Sequence, residues 1–92
     1  MPIKWLKKAL RNVEQAHDYI ARDHPAAAVR VVLKIQAAVA QLENSPHIGR
    51  LGRVEGTREL VVLQTPYIVI YRVTSTTVTI IRVLHSSRKY PS

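Results

Sequence analysis

Three β-branched runs near the C-terminus decide the fold of this chain: residues 56–62 read GTRELVV, residues 67–72 read YIVIYR, and residues 77–85 read TVTIIRVLH. Runs rich in Val, Ile, Thr and Tyr that follow one another with short polar breaks are typical of an antiparallel meander. Pro66, in the first break, has no backbone N–H, so strand pairing ends there. Residues 74–76, in the second break, carry small hydroxyl groups that can bond their own backbone. We therefore predict three consecutive strands, followed by a basic tail.

Two helical patterns precede these strands. Residues 7–22 form the first, because apolar side chains recur there at spacings of three and four and so share one stripe. That stripe consists of Leu6, Leu10, Val13, Ala16 and Ile20. The residues expected to face away from it are Asn12, Gln15, Asp18 and Arg22.

The second helix is predicted to begin at Pro25 and to end at Leu42 or Glu43. Proline suits the first helical position, and Asp23 is the predicted N-cap. The core stripe of this helix consists of Ala28, Val32, Ile35, Val39 and Leu42, and further apolar side chains lie outside it at Val29, Val31, Leu33 and Ala38. A helix that is apolar on more than one side either docks a partner chain or is covered by the first helix and the sheet. The sequence leaves both interpretations open.

The remaining segments complete an α+β plan. Residues 2–5 are a candidate short edge strand, and residues 46–56, rich in Gly and Arg, are a predicted loop. Two helices before a sheet predict a two-layer α+β fold, in which an antiparallel helical hairpin packs on an antiparallel β-sheet. The 92 residues suffice for one such domain, residues 1–92, and no more.

The charge of the chain is strongly positive, since 14 Lys and Arg residues against 6 Asp and Glu give a net charge of +8. All six carboxylates lie at or before Glu59, so the C-terminal part of the sheet is expected to have a positive potential. Such an excess predicts an acidic partner, either nucleic acid or an acidic protein segment.

The lack of cysteine fits a cytoplasmic protein, and no apolar run is long enough for a signal peptide or a membrane span.

Few residue patterns point to catalysis. The four histidines are scattered without metal-ligand spacing, so neither a metal nor another cofactor is expected. Metal-free RNA cleavage, in which a 2′-hydroxyl attacks its own phosphate, needs a base, an acid and cations. His85 is the candidate acid or base and Arg88 the candidate cation, while Tyr71 or Tyr90 can stack a base. The alternative interpretations are an interface histidine and a solvated tail.

These residues resemble the RelE/ParE superfamily of bacterial type II toxin–antitoxin toxins. The resemblance rests on segments that follow the family's order through nearly the whole chain: YIA at 19–21, PAA at 25–27, GR at 49–50, GRV at 52–54, GTREL at 56–60, YIVIYR at 67–72, VLH at 83–85, Arg88 and Pro91. The resemblance implies a compact βααβββ fold. It also implies a cognate antitoxin whose disordered acidic or amphipathic segment wraps the toxin in a hetero-oligomer.

The superfamily contains two activities. RelE-like members cut mRNA on the ribosome with basic residues of the central strands and the C-terminal segment. Aligning YIVIYR with the matching strand puts Glu59, Val61 and Ile68 where such cations would stand, although Arg88 falls at the position of a C-terminal arginine. ParE-like members inhibit DNA gyrase, trapping it on cleaved DNA, and the GTREL segment and the C-terminal ending are more similar to that branch.

We therefore predict a ParE-like toxin that inhibits DNA gyrase without covalent chemistry of its own and is neutralised by an antitoxin. One alternative is a ribosome-dependent mRNA endonuclease with Arg88, His85, Arg82 and Arg58 as candidate catalytic residues; another is a non-toxic module that only binds the antitoxin. The residues predicted to bind the target are Arg50, Arg53, Arg58, Arg82, Arg88 and Lys89. Those predicted to bind the antitoxin are Val29, Val31, Val32, Leu33 and Arg72.

Overall fold

The computed structural model describes residues 1–91 as a five-stranded sheet with two helices on one face. The elements are β1 Ile3–Trp5, α1 Lys7–Ala21, α2 Pro25–Gln41, β2 Arg50–Leu51, β3 Arg58–Val61, β4 Tyr67–Val73 and β5 Val78–His85. The strands lie in the order β1-β5-β4-β3-β2. The α+β fold with a helical hairpin on a sheet is thus confirmed. Ser92, which ends the predicted domain 1–92, lies outside the described residues.

The predicted meander is confirmed, because β3, β4 and β5 pair antiparallel in sequence order. The sheet as a whole is mixed rather than antiparallel, since β1 runs parallel to β5, with Ile3 opposite Val78 and Trp5 opposite Ile80. Parallel neighbours need a long crossover, and the chain between these two strands includes both helices. A further strand, β2, lies in the predicted loop 46–56 and pairs antiparallel with β3.

The predicted N-cap at Asp23 is wrong, because His24 occupies the N-cap position of α2 and makes no side-chain capping bond.

The predicted stripe of α1 also needs correction. Ala9 and Ala16 are the buried residues of this helix, whereas Leu10 is 54% exposed. Alanines seven residues apart share one helical face, and their small side chains let α1 lie close to the sheet. Leu10, one position further along the chain, is therefore turned to the side.

Asn12 faces the sheet and not solvent, contrary to the prediction. Its Oδ1 accepts hydrogen bonds from Arg82 Nε at 2.9 Å and from the backbone N–H of Val83 at 3.1 Å. The pairing of β4 and β5 shifts register between Ile70 and Tyr71, and β1 accompanies β5 only as far as Ile80. Asn12 thus supplies a hydrogen-bond acceptor to the part of β5 that follows the register shift, where β1 no longer lies beside this strand.

The core lies between the helices and the inner face of the sheet. Its largest fully buried side chains are Tyr71, Ile35, Leu42, Ile80, Val62, Val69 and Val78. On β4, alternate residues Tyr67, Val69 and Tyr71 belong to this core, so Ile68 and Ile70 lie on the opposite face. The apolar residues of α2 outside its predicted core stripe fall into two groups, one covered within the protein and one open to a partner chain. Val31 and Ala38 pack in or against the core, while Val29 and Leu33 are 51% and 58% exposed.

Candidate functional site

The face of the sheet opposite the helices carries a basic cavity, which we call the outer-face cavity. Ile68, Ile70 and Leu84 provide its apolar part, and Ile70 and Leu84 are only 3% and 5% exposed. The chain after β5 contributes Ser86, Arg88, Lys89 and Tyr90, so the C-terminal segment borders the cavity. The cavity has a volume of about 350 Å³, and its remaining lining residues are Arg50, Arg53 and Glu59.

One carboxylate lies among the cations of this cavity. Arg50 and Glu59 are opposite each other on β2 and β3. Arg50 Nε donates a hydrogen bond to Glu59 Oε1 at 3.0 Å, and Arg50 Nη2 forms an ion pair with the same oxygen, also at 3.0 Å. The side chains of Arg53 and Arg88 make no hydrogen bond or ion pair with any other residue of the described range 1–91. Because the one carboxylate among the described lining residues already has a partner, the outer-face cavity keeps a positive potential that suits an anionic ligand or surface.

The position of Arg50 depends on a buried tyrosine. Tyr71 Oη donates to the carbonyl oxygen of Pro46 at 2.8 Å and accepts the backbone N–H of Gly49 at 2.9 Å. A Cβ at Gly49 would lie 2.6 Å from this hydroxyl, so only glycine fits here. Burial raises the pKa of Tyr71, although the Gly49 N–H and the Arg58 charge act in the opposite direction. Tyr71 thus anchors the chain that immediately precedes Arg50.

Arg58 holds the same loop from another side. Its Nη1 donates to the carbonyl oxygen of Gly49 at 2.8 Å and to that of His47 at 3.3 Å. A guanidinium is well suited to this task, because its fixed fork of donors can reach two carbonyl oxygens at once. These contacts explain Arg58 as a structural residue of the sheet edge, and it does not line the outer-face cavity.

A second cavity of about 490 Å³ lies between α1 and the end of β5, and we call it the His85 cavity. His85 Nδ1 accepts the backbone N–H of Ser87 at 3.1 Å and lies 2.8 Å from Ser87 Oγ. A backbone N–H can only donate, so Nδ1 is an acceptor and the ring proton is on Nε2. The ring packs edge-on against Tyr67, with centroids 5.7 Å apart. Burial, and then the proximity of Tyr19, raise the pKa of Tyr67.

The His85 cavity has little positive charge of its own. Among the described residues that line it, Arg88 is the one with a permanent positive charge. Its uncharged polar lining residues include the phenol Tyr19, the amides Asn12 and Gln15, and the hydroxyl residue Ser87. Arg82, on the same strand as His85, is bonded to Asn12. The arrangement therefore offers one histidine, one guanidinium and two phenol rings rather than a cluster of cations.

A third concave surface, the helical groove, lies between α1 and α2 beside β1. It has a volume of about 590 Å³, and its apolar lining comprises Ile3, Trp5, Leu10, Val13, Val32, Val39 and Ala40. Val32, predicted in the core, is half-buried and lines this groove. Apolar surface left open between two helices is typical of a protein–protein contact.

Comparisons with known proteins agree with this architecture. Residues 3–90 match the family described as the ParE toxin of the type II toxin–antitoxin system parDE. The chain belongs to the ParE toxin family. Among curated relatives of this ParE-family chain, the Y4kP protein of Sinorhizobium fredii is 44% identical over 97% of the chain and 92% of its own length. Toxin RelE2 of Caulobacter vibrioides is 36% identical over 94% of the chain and 96% of its own length.

Two solved structures resemble this ParE-family chain. The chromosomal ParDE system of P. aeruginosa superposes with a TM-score of 0.85 and 26% identity, covering 92% of the chain and 95% of its counterpart. The RelBE2 toxin–antitoxin complex of Mycobacterium tuberculosis gives a TM-score of 0.65 at 23% identity, with 91% and 95% covered. This second likeness concerns the fold alone.

The structure of the ParE-family chain groups some of the predicted site residues and separates others. Of those predicted to bind the target, the cations Arg50, Arg53, Arg88 and Lys89 line the outer-face cavity, whereas Arg58 and Arg82 bond to other elements. Of those predicted to bind the antitoxin, Val32 lines the helical groove, Val31 packs against the core, and Val29, Leu33 and Arg72 are exposed.

Sequence reasoning missed Tyr19, Tyr67 and Asn12 as cavity residues of the ParE-family chain. Tyr19 was the one residue with a signal in the sequence, because it is an aromatic outside the predicted apolar stripe of α1. The contribution of Asn12 depends on the approach of α1 to β5.

Within residues 1–91, no three His, Asp or Glu residues are grouped closely enough to hold a metal ion. Neither helix in that range is long and apolar enough to cross a membrane.

Proposed function

We propose that this ParE-family toxin inhibits DNA gyrase in the cytoplasm, trapping the enzyme on cleaved DNA, and that a cognate antitoxin neutralises it. The observation that carries the proposal is the Arg50–Glu59 ion pair in the outer-face cavity. A ribonuclease must stabilise negative charge that develops on the scissile phosphate, and a carboxylate at that place opposes it. Here the carboxylate also neutralises one of the cations, and Ile68, which lines the same cavity, supplies no charge.

The positive charge of the cavity serves docking in this proposal. Arg53 and Arg88 extend from a loop and from the C-terminal segment, so their guanidinium groups can meet an anionic surface without moving the sheet. Charged residues at the rim of an interface mainly steer association and select the partner. Gyrase bound to DNA presents such an anionic surface, because every phosphate carries a negative charge.

A supercoiling assay tests the gyrase target. The purified protein, added in molar excess to gyrase, relaxed plasmid and ATP, is expected to block supercoiling and to accumulate linear DNA after detergent and protease treatment. A heat-denatured sample is the matched control. Normal supercoiling at a large molar excess of correctly folded protein would contradict the proposal.

A second candidate function is ribosome-dependent cleavage of mRNA, which the His85 cavity favours. His85 and Arg88 line it together with Tyr19 and Tyr67, so an acid–base group, a cation and aromatic rings for stacking lie in one place. Primer extension on a translated mRNA after induction of the protein decides this candidate. New 5′ ends within codons would support it, and an unchanged pattern would exclude it.

The antitoxin is proposed to contact both the basic and the apolar surfaces. Val29 and Leu33 expose large apolar side chains on α2, and the outer-face cavity offers cations to an acidic segment. Expression without the antitoxin is expected to arrest growth, and co-expression is expected to restore it. Unimpaired growth in the absence of the antitoxin would indicate a module that binds without being toxic.

A further inference from the structure

The hydroxyl of Tyr67 has no partner within the described protein. The side chain is only 8% exposed, yet its Oη makes no hydrogen bond with residues 1–91. No side-chain polar atom in that range is both sealed from solvent and unbonded, so this hydroxyl keeps access to solvent. Tyr67 lines the His85 cavity, and the access is therefore through the cavity. Buried hydroxyls normally have a partner, so an unused one that faces a cavity points to a ligand.

Two further donors of the His85 cavity are unused by the described chain. The proton of the His85 ring is on Nε2, because Nδ1 accepts the backbone N–H of Ser87, and this Nε2–H makes no hydrogen bond with residues 1–91. Asn12 uses its side-chain oxygen for Arg82 and Val83, which leaves its amide NH₂ for a ligand. The cavity therefore offers a set of hydrogen-bond donors to an occupant.

The charge of the His85 cavity favours an anion. Arg88 lines it, and the guanidinium group makes no ion pair or hydrogen bond within the described range. The described lining residues include no Asp or Glu, whereas Glu59 lies among the cations of the outer-face cavity. A guanidinium group can bind a phosphate through two parallel hydrogen bonds, and neutral N–H and O–H donors add to it. A phosphate group therefore suits this donor set.

An open aromatic ring lies beside these donors. Tyr19, on α1, is 70% exposed and lines the same cavity. Its proximity, after burial, raises the pKa of Tyr67, so the two phenols are near each other. A tyrosine ring that is open to solvent can stack a heterocyclic base. The cavity has a volume of about 490 Å³, which lies in the range of small-ligand sites and leaves room for a single nucleotide.

We propose that the His85 cavity binds a nucleoside monophosphate. The base stacks on Tyr19. The phosphate accepts hydrogen bonds from Arg88, His85 and Tyr67. Binding requires one guanidinium group and neutral donors, whereas cleavage of RNA requires further cations for the charge that develops on the phosphate. This site goes beyond the inhibition of gyrase, and a negative result in the gyrase assay would leave it intact. Because Arg88 lines both cavities, a bound nucleotide would also engage a cation of the outer-face cavity.

Calorimetric titration of the full-length protein tests this site with three probes: adenosine 5′-monophosphate (AMP), adenosine and inorganic phosphate. AMP is expected to bind about tenfold more tightly than either of the others, because it alone engages both the ring and the donors. Equal affinities for AMP and inorganic phosphate would show an anion site without recognition of a base and would overturn the proposal. A short single-stranded RNA that displaces AMP at a lower concentration than AMP itself would assign the cavity to RNA, which would also overturn it.

Two substitutions at exposed positions separate the halves of the ligand. Arg88→Gln keeps a polar side chain and removes the charge, so it is expected to weaken AMP and inorganic phosphate about tenfold and to leave adenosine unchanged. Tyr19→Ala removes the ring, so it is expected to weaken AMP and adenosine by a similar factor and to leave inorganic phosphate unchanged. The same loss for all three probes in both variants would contradict the proposed arrangement.

Tyr67→Phe is the decisive variant, because it removes only the unused hydroxyl. The expected result is a wild-type Tm with about tenfold weaker binding of AMP, as for the loss of a hydrogen bond to a charged group. Ser75→Ala removes an exposed hydroxyl from the turn at the opposite end of the β4–β5 hairpin and serves as the matched control, with AMP affinity unchanged. Unchanged AMP affinity in Tyr67→Phe would overturn the proposal. Its loss in Arg53→Gln instead would place the phosphate in the outer-face cavity and would overturn the proposal equally.

Discussion

Tyr71 is the residue on which the geometry of the basic surface depends most directly. It is fully buried in the core, yet its hydroxyl reaches the loop before β2 and bonds one acceptor and one donor there. The ring contributes apolar burial, while the hydroxyl satisfies the backbone N–H of Gly49, which would otherwise be buried without a partner. One side chain therefore joins the stability of the core to the position of Arg50.

Removal of this hydroxyl should destabilise the protein. Tyr71→Phe keeps the ring and leaves the Gly49 N–H without its acceptor, so we expect a loss of about 2 kcal/mol in the free energy of unfolding. That loss corresponds to a decrease of about 10 °C in Tm for a domain of this size. Tyr67→Phe is the matched control, because the Tyr67 hydroxyl makes no hydrogen bond with residues 1–91. Equal melting temperatures for the two variants would contradict this role of Tyr71.

The buried phenols also predict a dependence of stability on alkaline pH. Burial raises the pKa of both Tyr67 and Tyr71 above the ordinary value of 10.0. The folded state then holds protons that the unfolded state releases, so this stabilisation is complete below about pH 10 and is lost as the pH rises through the raised pKa. Between about pH 8 and pH 11, Tm of the wild type should fall more than Tm of Tyr67→Phe. Parallel decreases would show that Tyr67 contributes nothing to this dependence.

At the scale of elements, α2 has two different faces. Ile35 is 0% exposed and belongs to the core, whereas Val32 is half-buried at the helical groove. Both residues belong to the stripe that the apolar periodicity predicts, so the pattern alone does not separate them. The difference arises because α1 and β1 stop short of covering one side of α2, which leaves the groove between them.

Polar substitutions should separate these two faces of α2. Ile35→Asn buries an amide without a partner and removes apolar contact, so we expect a loss of about 4 kcal/mol and extensive unfolding. Val32→Asn adds no charge and can hydrate its amide in the groove, so a folded protein with weakened antitoxin binding is expected. Circular-dichroism melts measure the loss of stability, and co-purification with the antitoxin measures binding. A Val32→Asn protein that unfolds like Ile35→Asn would assign Val32 to the core.

The contact between α1 and β5 shows another property of elements. Asn12 bonds Arg82 and the Val83 N–H where β5 no longer has β1 beside it. A polar residue on the sheet-facing side of a helix thus completes the edge of a strand. This contact also holds the Arg82 guanidinium against α1.

For the whole molecule, the distribution of charge is the property that the proposed function uses. Four cations from β2, the loop after it and the C-terminal segment meet at the outer-face cavity, whereas the carboxylates Glu14 and Glu43 lie at the helical groove. The two surfaces lie on different sides of the sheet. A single partner chain can therefore contact both only by wrapping around the protein, which suits a segment that folds on binding.

Reversal of charge at the C-terminal segment should impair function and leave the fold intact. Arg88 and Lys89 are exposed, so Arg88→Glu with Lys89→Glu is expected to keep the wild-type Tm and to weaken gyrase inhibition by at least about tenfold. Arg22→Glu with Arg30→Glu removes the same net charge from exposed positions just after α1 and within α2, and serves as the control. Equal losses of inhibition in both variants would indicate a general effect of charge rather than a defined contact surface.

Much of the secondary structure could be predicted, because the deciding patterns are local. The alternation of β-branched residues and the breaks at Pro66 and residues 74–76 predicted the meander, and the spacing of apolar residues predicted both helices to within a few positions. The short strand β2 was missed, since two residues are too few for a periodicity and its pairing with β3 depends on the loop that Tyr71 and Arg58 hold.

The sequence by itself determined the order of the two helices and of the meander strands, the excess of positive charge and the absence of carboxylates after Glu59, since these follow from residues near one another in the chain. Only the tertiary structure decided which cations act together, because Arg50 and Arg88 meet across strands that are distant in sequence. The same holds for the helical groove, whose lining comes from β1, both helices and Glu43 beyond the end of α2. Periodicity specifies the face of a single element, whereas a cavity or a groove requires the register and packing of several elements at once.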